Sequence, residues 1–154
     1  MPNIYRSKEI SWLSFNERVL KQTFKEDVPL YERIKFLAIY SNNMDEFYRV
    51  RVATLKRLSK LKKDVSQIIG FDPKEIIKQI NDIVIEQNIL YEKSQQQLRE
   101  KLKEQKVFVV DENNLNKEQK KYAMEFFDKK LKNSLMPIIL RDKKQVLDLV
   151  DDTI

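Results

Sequence analysis

The residues best able to do chemistry lie in one polar stretch, residues 41–47, which reads Ser-Asn-Asn-Met-Asp-Glu-Phe. This stretch separates two segments whose apolar residues recur at helical spacing. Asn43 and Glu46 are three residues apart, which is the spacing of a capping box, so the sequence predicts that a helix begins here. A helix N-terminus has unpaired backbone N–H groups and a partial positive charge. We therefore expect the polar stretch to meet an anionic ligand or the edge of a base.

Two pairs of side chains in the polar stretch have alternative interpretations. Capping is the commonest role of an Asn at a helix start, and Asn43 taken alone would be assigned to it. With Asn42 beside it, one amide could cap the helix while the other offers a donor and an acceptor to a purine. Asp45 and Glu46 could form a paired-carboxylate site, but stabilisation of the helix dipole is the simpler account of acidic residues at a helix start.

The composition excludes several kinds of active site. The 154 residues include no Cys, no His and 1 Gly. Without imidazole or thiol groups the chain lacks the usual general base, nucleophilic triad and zinc site, and one glycine cannot form a Gly-rich phosphate loop. We therefore expect no catalytic residue and no metal site in this sequence. No apolar run approaches the roughly 20 residues of a membrane-spanning helix, and no signal peptide is evident, so we expect a soluble, cytoplasmic chain.

The formal net charge of +6 favours an anionic partner such as a nucleic acid, a nucleotide, a phosphate polymer or an acidic lipid surface. A basic series follows the polar stretch, and no acidic residue occurs between Glu46 and Asp64. The series consists of Arg49, Arg51, Lys56, Arg57, Lys60, Lys62 and Lys63. A solvated helix face is the simplest interpretation of most of these residues. Arg49 and Arg51 are the better candidates for contacts with phosphate or acidic groups.

Three predicted helices position the polar stretch. Ser11 is expected to cap the first helix, whose core face would carry Trp12 and Phe15 with the aliphatic residues that follow them. Trp12 and Phe15 could instead stack on bases, but aromatic residues at this spacing more often belong to a core. Pro29 is expected in the first turn of the second helix. The third helix would begin at the polar stretch and carry the basic series.

A long fourth helix is predicted next. Asp72 and Pro73 combine an Asp cap with a proline at the first helical position. An apolar stripe then continues nearly to Lys103, which corresponds to a helix on the order of 45 Å long. Because Gln87 and Ser94 interrupt the apolar stripe, the sequence does not predict a coiled-coil heptad.

The sequence pattern changes near Lys106. Residues 107–110, Val-Phe-Val-Val, are a strand candidate, the residues from Asn116 to Gln119 offer a capping pattern for a helix, and residues 136–140 are a second strand candidate. Strand, helix and strand form the unit of a parallel sheet, and two strands alone cannot bury both faces of one. The predicted fold is therefore mainly α, with a helical bundle over residues 1–105 and the incomplete beginning of an α/β domain over residues 106–154. We expect the chain to be cut from a longer one.

Three blocks of this sequence resemble the N-terminal domain of the long-form bacterial polyphosphate kinases. Residues 9–20 read Glu-Ile-Ser-Trp-Leu-Ser-Phe-Asn-Glu-Arg-Val-Leu, and residues 29–37 read Pro-Leu-Tyr-Glu-Arg-Ile-Lys-Phe-Leu. Residues 39–51 read Ile-Tyr-Ser-Asn-Asn-Met-Asp-Glu-Phe-Tyr-Arg-Val-Arg. The blocks match the family in order and spacing. The resemblance is strongest up to about Leu58 and continues in pattern to the end of the chain.

The resemblance implies an enzyme that reversibly transfers the terminal phosphate of ATP to polyphosphate, using magnesium and a phosphohistidine intermediate. The catalytic histidine of the family lies in C-terminal domains that this sequence does not contain, so the chain alone is expected to be inactive. The family's N-terminal domain forms one wall of the adenine pocket, and its nucleotide-contacting Asn falls on Asn43. Met44 stands where the family usually has Leu, which packs similarly. The resemblance also implies a homo-oligomeric, cytoplasmic full-length enzyme, with association with a membrane left open.

Two alternatives come from other functional classes. A basic helical module that binds nucleic acid would account for the charge, but the sequence shows no recognition helix or aromatic RNA-binding strand, so we expect no nucleic-acid partner. A structural oligomerisation module could be built on the long helix that begins after Asp72. The sequence of any following region would separate these alternatives from a kinase, because the kinase requires a histidine downstream.

Overall fold

The computed structural model describes residues 7–61 and 70–136, and most of these residues are helical. The α-helices are α1 (Lys8–Lys21), α2 (Leu30–Glu46), α3 (Ala53–Leu58), α4 (Pro73–Glu104) and α5 (Lys117–Phe126). No β-strand occurs within these two described ranges. In the same ranges, no helix is both long enough and apolar enough to cross a lipid bilayer. The helical part of the predicted fold is therefore confirmed.

The helical backbone does not break at the polar stretch, although α2 itself ends there at Glu46. It passes directly into a π-helical segment, Phe47–Val52, and then into α3, and Glu46 keeps right-handed helical backbone angles at the first junction. The predicted helix start at residues 41–47 is therefore wrong, and Asn43 does not cap a helix. The low helix propensity of Ser and Asn is worth only tenths of a kcal/mol per residue. Burial of the flanking Tyr40 and Phe47 outweighs that cost and keeps the backbone helical.

Helix α1 begins earlier than the sequence pattern indicated. The side chain of Ser7 caps it, because the Glu9 backbone N–H donates to Ser7 Oγ over 3.2 Å. Ser11 lies inside the helix, where its N–H donates to the Ser7 carbonyl over 2.9 Å. The predicted cap at Ser11 is therefore wrong. Ser7 also fits a cap, since Glu9 then places a negative charge in the first turn.

Helix α4 begins where the sequence predicted. Asp72 accepts a hydrogen bond from the Lys74 backbone N–H over 2.9 Å, and Pro73 occupies the first helical position. Its 32 residues correspond to a length of about 48 Å. The helix ends in a Schellman motif, in which Lys106 adopts φ 62° and the Val107 N–H donates to the Leu102 carbonyl over 2.9 Å. This turn ends the helix close to the predicted change in sequence pattern.

The apolar core cluster lies where α1 and α4 pack against the π-helical segment Phe47–Val52 and α3. Its buried apolar residues are Ile10, Leu13, Phe47, Val52, Leu55, Ile80 and Val84. Trp12 packs partly buried against this cluster, as the sequence predicted, but Phe15 is 49% exposed and lies under the Arg18 guanidinium. The buried face of α1 instead follows Ile10, Leu13 and Asn16. The face of α1 predicted from its apolar residues alone is rotated relative to the buried face, because the polar residue Asn16 occupies a core position.

Residues after Val109 form a separate compact unit. Its helix α5 begins with the predicted capping box, in which Asn116 Oδ1 accepts from the Gln119 N–H over 2.8 Å and Gln119 Oε1 accepts from the Asn116 N–H over 2.9 Å. A π-helical segment, Phe127–Leu131, follows it. None of the described residues in α5 is buried.

The predicted strand-helix-strand unit is not confirmed. Residues 107–110 have no regular structure, so the first strand candidate is wrong. A strand needs a neighbouring backbone to pair with its N–H and C=O groups, and no described segment supplies one. Of the second candidate, residues 136–140, only Met136 is described, and residues 137–140 lie outside the described residues. The predicted division between residues 105 and 106 stays a prediction, although the compact units of the structure divide between Val109 and Val110.

Candidate functional site

Asn43 is half-buried on α2 and reaches toward α1. Its Nδ2 donates a hydrogen bond to Asn16 Oδ1 over 2.9 Å. Asn16 is completely buried, and its own Nδ2 donates to the Tyr40 carbonyl oxygen over 3.3 Å. Both groups of the Asn16 amide are therefore engaged in defined directions. Asn16 in turn holds the Asn43 amide in one orientation.

The Asn43 amide keeps hydrogen-bonding capacity for a ligand. A side-chain amide has two N–H donors and one oxygen acceptor, and the bond to Asn16 uses one donor. Within residues 7–61 and 70–136, Asn43 Oδ1 accepts no hydrogen bond, and no buried side-chain polar atom lacks a partner. The oxygen is therefore accessible to solvent. One donor and one acceptor remain, and these match the ring nitrogen and the amino group on an edge of adenine.

An aromatic pair lies one helical turn from the two asparagines. The rings of Trp12 and Phe47 stack with centroids 4.6 Å apart and an interplanar angle of 8°. Trp12 precedes Asn16 by four residues, and Phe47 follows Asn43 by four. The two pairs therefore follow one another along a single antiparallel contact, between α1 and the continuous helix formed by α2 and the π-helical segment. Stacking fixes both helices, and with them the distance between Asn16 and Asn43.

A groove of about 370 Å³ begins at this aromatic pair. Its apolar lining includes Trp12, Phe47, Val50 and Leu55, and its polar lining includes Lys8, Glu9, Glu46 and Arg51. Glu9 is 8% exposed and accepts a hydrogen bond from Ser7 Oγ over 2.7 Å. Of the two arginines singled out from the sequence, Arg51 faces this groove. Mixed apolar and polar lining of this kind is typical of ligand sites.

The acidic pair of the polar stretch has a different role from the predicted ones. Asp45 lies in the last turn of α2, and its carboxylate forms an ion pair with Arg49 Nε at 2.9 Å. Glu46 is the last residue of α2 and lines the groove. The helix-dipole account is therefore wrong, since no helix begins at residues 41–47 and the helical backbone continues through Phe47. Asp45 is instead stabilised by the i,i+4 pair with Arg49.

A second buried polar chain connects all three core helices and was not found from the sequence. The Tyr40 hydroxyl donates to Gln87 Oε1 over 3.2 Å, and Gln87 Nε2 donates to the Leu13 carbonyl over 3.1 Å. Ser94 Oγ donates to Thr23 Oγ1 over 2.6 Å, which connects α4 to the short 3-10 segment Gln22–Phe24 that follows α1. These bonds hold α1, α2 and α4 in a single register.

The signal for these residues is their spacing on α4. The residues of its inner face are Ile80, Val84, Gln87, Tyr91, Ser94 and Leu98. They alternate at four and three residues, so Gln87 and Ser94 continue the buried stripe and do not interrupt it. A search for polar residues at core spacing would have found both, and Asn16 as well.

Burial also affects the titration of the tyrosines near the site. Burial raises the pKa of Tyr40 to about 12 from its ordinary 10.0, since the phenolate loses its hydration there. Burial likewise raises the pKa of Tyr48. Tyr40 therefore stays protonated, and remains a donor to Gln87, at a more alkaline pH than an ordinary tyrosine would.

Within the described ranges, no group of three or more Asp and Glu side chains is placed to hold a metal ion. The site as described consists of an oriented amide, an aromatic pair and a neighbouring groove. Asn43 is not among the residues that line the groove, and Phe47 is buried against Trp12, so the group available to a base is the oriented Asn43 amide.

Comparison with known proteins identifies the family to which the chain is similar. The family described as polyphosphate kinase N-terminal domain matches residues 5–110. The chain is 35% identical over 150 residues to a polyphosphate kinase of Vibrio parahaemolyticus, which covers 97% of this chain and 21% of that protein. It is 38% identical over 143 residues to one of Synechocystis, covering 89% of this chain and 19% of that protein.

The chain is also 32% identical over 149 residues to a polyphosphate kinase of Escherichia coli, and this alignment covers 97% of this chain and 21% of that protein. The chain thus spans about a fifth of the length of the curated relatives it matches. No solved structure is significantly similar to it. The match over residues 5–110 includes α1 to α4 with both asparagines, and by this match the chain belongs to the family of polyphosphate kinase N-terminal domains.

Proposed function

We propose that this chain forms one wall of the adenine pocket in a polyphosphate kinase, and that Asn43 contacts the base. The complete enzyme transfers the terminal phosphate of ATP reversibly to polyphosphate, with magnesium and through a phosphohistidine. This sequence contains no His, so the phosphorylated residue belongs to other domains of the enzyme. The chain by itself has no phosphotransfer activity.

The observation that supports this proposal most directly is the orientation of the Asn43 amide. The bond from Asn43 to Asn16 leaves one donor and one acceptor for an outside partner. A base edge that offers an amino group and a ring nitrogen satisfies both at once. An amide that is already oriented loses little side-chain entropy when the base binds. Asn43 is therefore the base-contacting residue, and Asn16 is a positioning residue.

The remaining parts of the proposal concern partners and place of action. The partners are ATP or ADP, polyphosphate and the other domains of the same enzyme, which acts as a homo-oligomer in the cytoplasm. Magnesium supplies charge neutralisation for the phosphates of the bound nucleotide. Nucleic acid is not a partner in this proposal.

The test is Asn43→Ala in a polyphosphate kinase that contains this domain. Loss of one or two hydrogen bonds, at about 0.5–1.5 kcal/mol each, raises the KM for ATP by roughly twofold to a hundredfold while kcat changes less. The matched control is Asn42→Ala, because Asn42 is the exposed neighbour on the same helix. Its KM for ATP should stay at the wild-type value. An unchanged ATP dependence in Asn43→Ala removes Asn43 from the pocket.

A further inference from the structure

The net positive charge of the chain arises from one short stretch, residues 49–63. Seven of the 30 Lys and Arg residues lie between positions 49 and 63, where no Asp or Glu occurs. The other 23 basic residues are outnumbered by the 24 Asp and Glu residues of the chain. The whole excess of +6 therefore arises from this stretch. Such a local excess creates a positive potential that attracts polyanions.

Three of these seven residues form an exposed surface, which we call the basic face: Lys56, Arg57 and Lys60. Lys56 and Arg57 lie in the last turn of α3, and Lys60 follows one turn later. Lys60 lies in the turn that follows α3, where its N–H donates to the Arg57 carbonyl over 3.2 Å, and its spacings of three and four residues place it close to Arg57 and Lys56. Arg57 Nη2 lies 3.4 Å from the Thr54 hydroxyl, which carries no charge.

The basic face differs from several other lysines of the described residues, which pair with carboxylates. Lys35 pairs with Glu32 at 3.0 Å, Lys101 with Glu104 at 3.1 Å, and Lys103 with Glu100 at 2.9 Å. Within residues 7–61 and 70–136, none of the three residues of the basic face pairs with a carboxylate. Like charges at this spacing repel one another. A bound polyanion would remove that repulsion.

We propose that the basic face binds the inorganic polyphosphate chain, at a docking surface separate from the adenine contact at Asn43. The choice of polyphosphate rests on the proposed function, and the chemistry of the surface supports it. Between Ala53 and Leu61 there is no aromatic residue, so the face offers charge without a stacking platform. Single-stranded nucleic acid is usually held by both. A polymer that consists of phosphate alone needs only the charge.

The experiment measures binding without catalysis. Fluorescently labelled polyphosphate of defined length is titrated with this chain, and its anisotropy is followed at several salt concentrations. The test variant combines Lys56→Gln, Arg57→Gln and Lys60→Gln. The control variant combines Lys35→Gln, Lys101→Gln and Lys103→Gln, which removes the same charge from exposed lysines that are paired. Far-UV circular dichroism establishes that both variants keep their helices.

The test variant should bind polyphosphate roughly tenfold more weakly at low salt. Each phosphate neutralised on a single-stranded polyanion contributes about 0.7 to the negative slope of log K against log salt, so the loss of three charges should reduce the magnitude of that slope by about two. The control variant should lose much less. Equal losses in both variants would overturn the proposal, as would equal or tighter binding of single-stranded RNA or of anionic phospholipid vesicles. Asn43→Ala should leave this binding unchanged, so failure here is distinct from failure of the adenine contact.

Discussion

Asn43 Nδ2 donates to Asn16 Oδ1 over 2.9 Å, which connects a half-buried amide on α2 to a completely buried one on α1. The inner asparagine is fixed by its second bond, to the Tyr40 carbonyl. The outer asparagine therefore presents its free donor and acceptor in a fixed direction. A helix cap, the role suggested by the sequence pattern, would have used the same side chain on its own backbone.

Replacement of the inner asparagine should affect both stability and nucleotide dependence. Asn16→Ala removes both hydrogen bonds and releases the Asn43 amide, so the free energy of unfolding should fall by about 1–3 kcal/mol. In a complete polyphosphate kinase the KM for ATP should rise although Asn43 is intact, while kcat changes less. Urea titration and initial-rate kinetics measure the two effects. A loss of stability with an unchanged KM would mean that Asn16 is structural only.

The hydrogen bonds from Tyr40 to Gln87 and from Gln87 to the Leu13 carbonyl should contribute cooperatively to the free energy of unfolding. Gln87→Leu leaves the buried Tyr40 hydroxyl without a partner and should cost about 1–3 kcal/mol of unfolding free energy. In a Tyr40→Phe background the same change should cost less, because no hydroxyl is left unpaired. Denaturant titration of the four proteins gives the coupling energy. Gln97→Leu, at an exposed position on α4, should change stability by no more than about 0.5 kcal/mol.

Alkaline pH should weaken the fold through Tyr40. Its pKa is about 12 in the folded chain against an ordinary 10.0, so the unfolded state loses the proton first as pH rises. Stability is thus fully retained below pH 10 and falls between pH 10 and 12. Tyr40→Phe should show a smaller decline across that window, and the difference between the two proteins excludes the other titrating groups. Parallel curves of denaturation midpoint against pH would contradict this prediction.

The two phenylalanines should differ sharply in their importance. Phe47 is 2% exposed and stacks on Trp12, whereas Phe15 is 49% exposed. Phe47→Ala should therefore lower the free energy of unfolding by about 3–5 kcal/mol. Phe15→Ala should lower it by roughly 0.5 kcal/mol or less, as is usual for surface positions. Thermal or urea unfolding of both variants provides the comparison, and equal losses would place Phe15 in the core after all.

Local chemistry explains which features could be predicted from the sequence. The Asp72 and Asn116 caps were predicted correctly because a cap depends on residues within one turn. The stripe on α4 was predicted because its apolar residues recur at helical spacing. The start at residues 41–47 was predicted wrongly because Asn serves equally well as a cap and as a buried hydrogen-bonding residue, and only contacts distant in sequence decide between them.

Residue types and near neighbours are sufficient to predict that the chain is helical, basic and without imidazole or thiol groups. Packing between elements distant in sequence places Asn16 beneath Asn43 and Gln87 in the core, and keeps the backbone helical through residues 41–47. A polar side chain can be buried only where another element supplies its partner. For Asn16 that partner is 27 residues away, and for Gln87 it is 74 residues away.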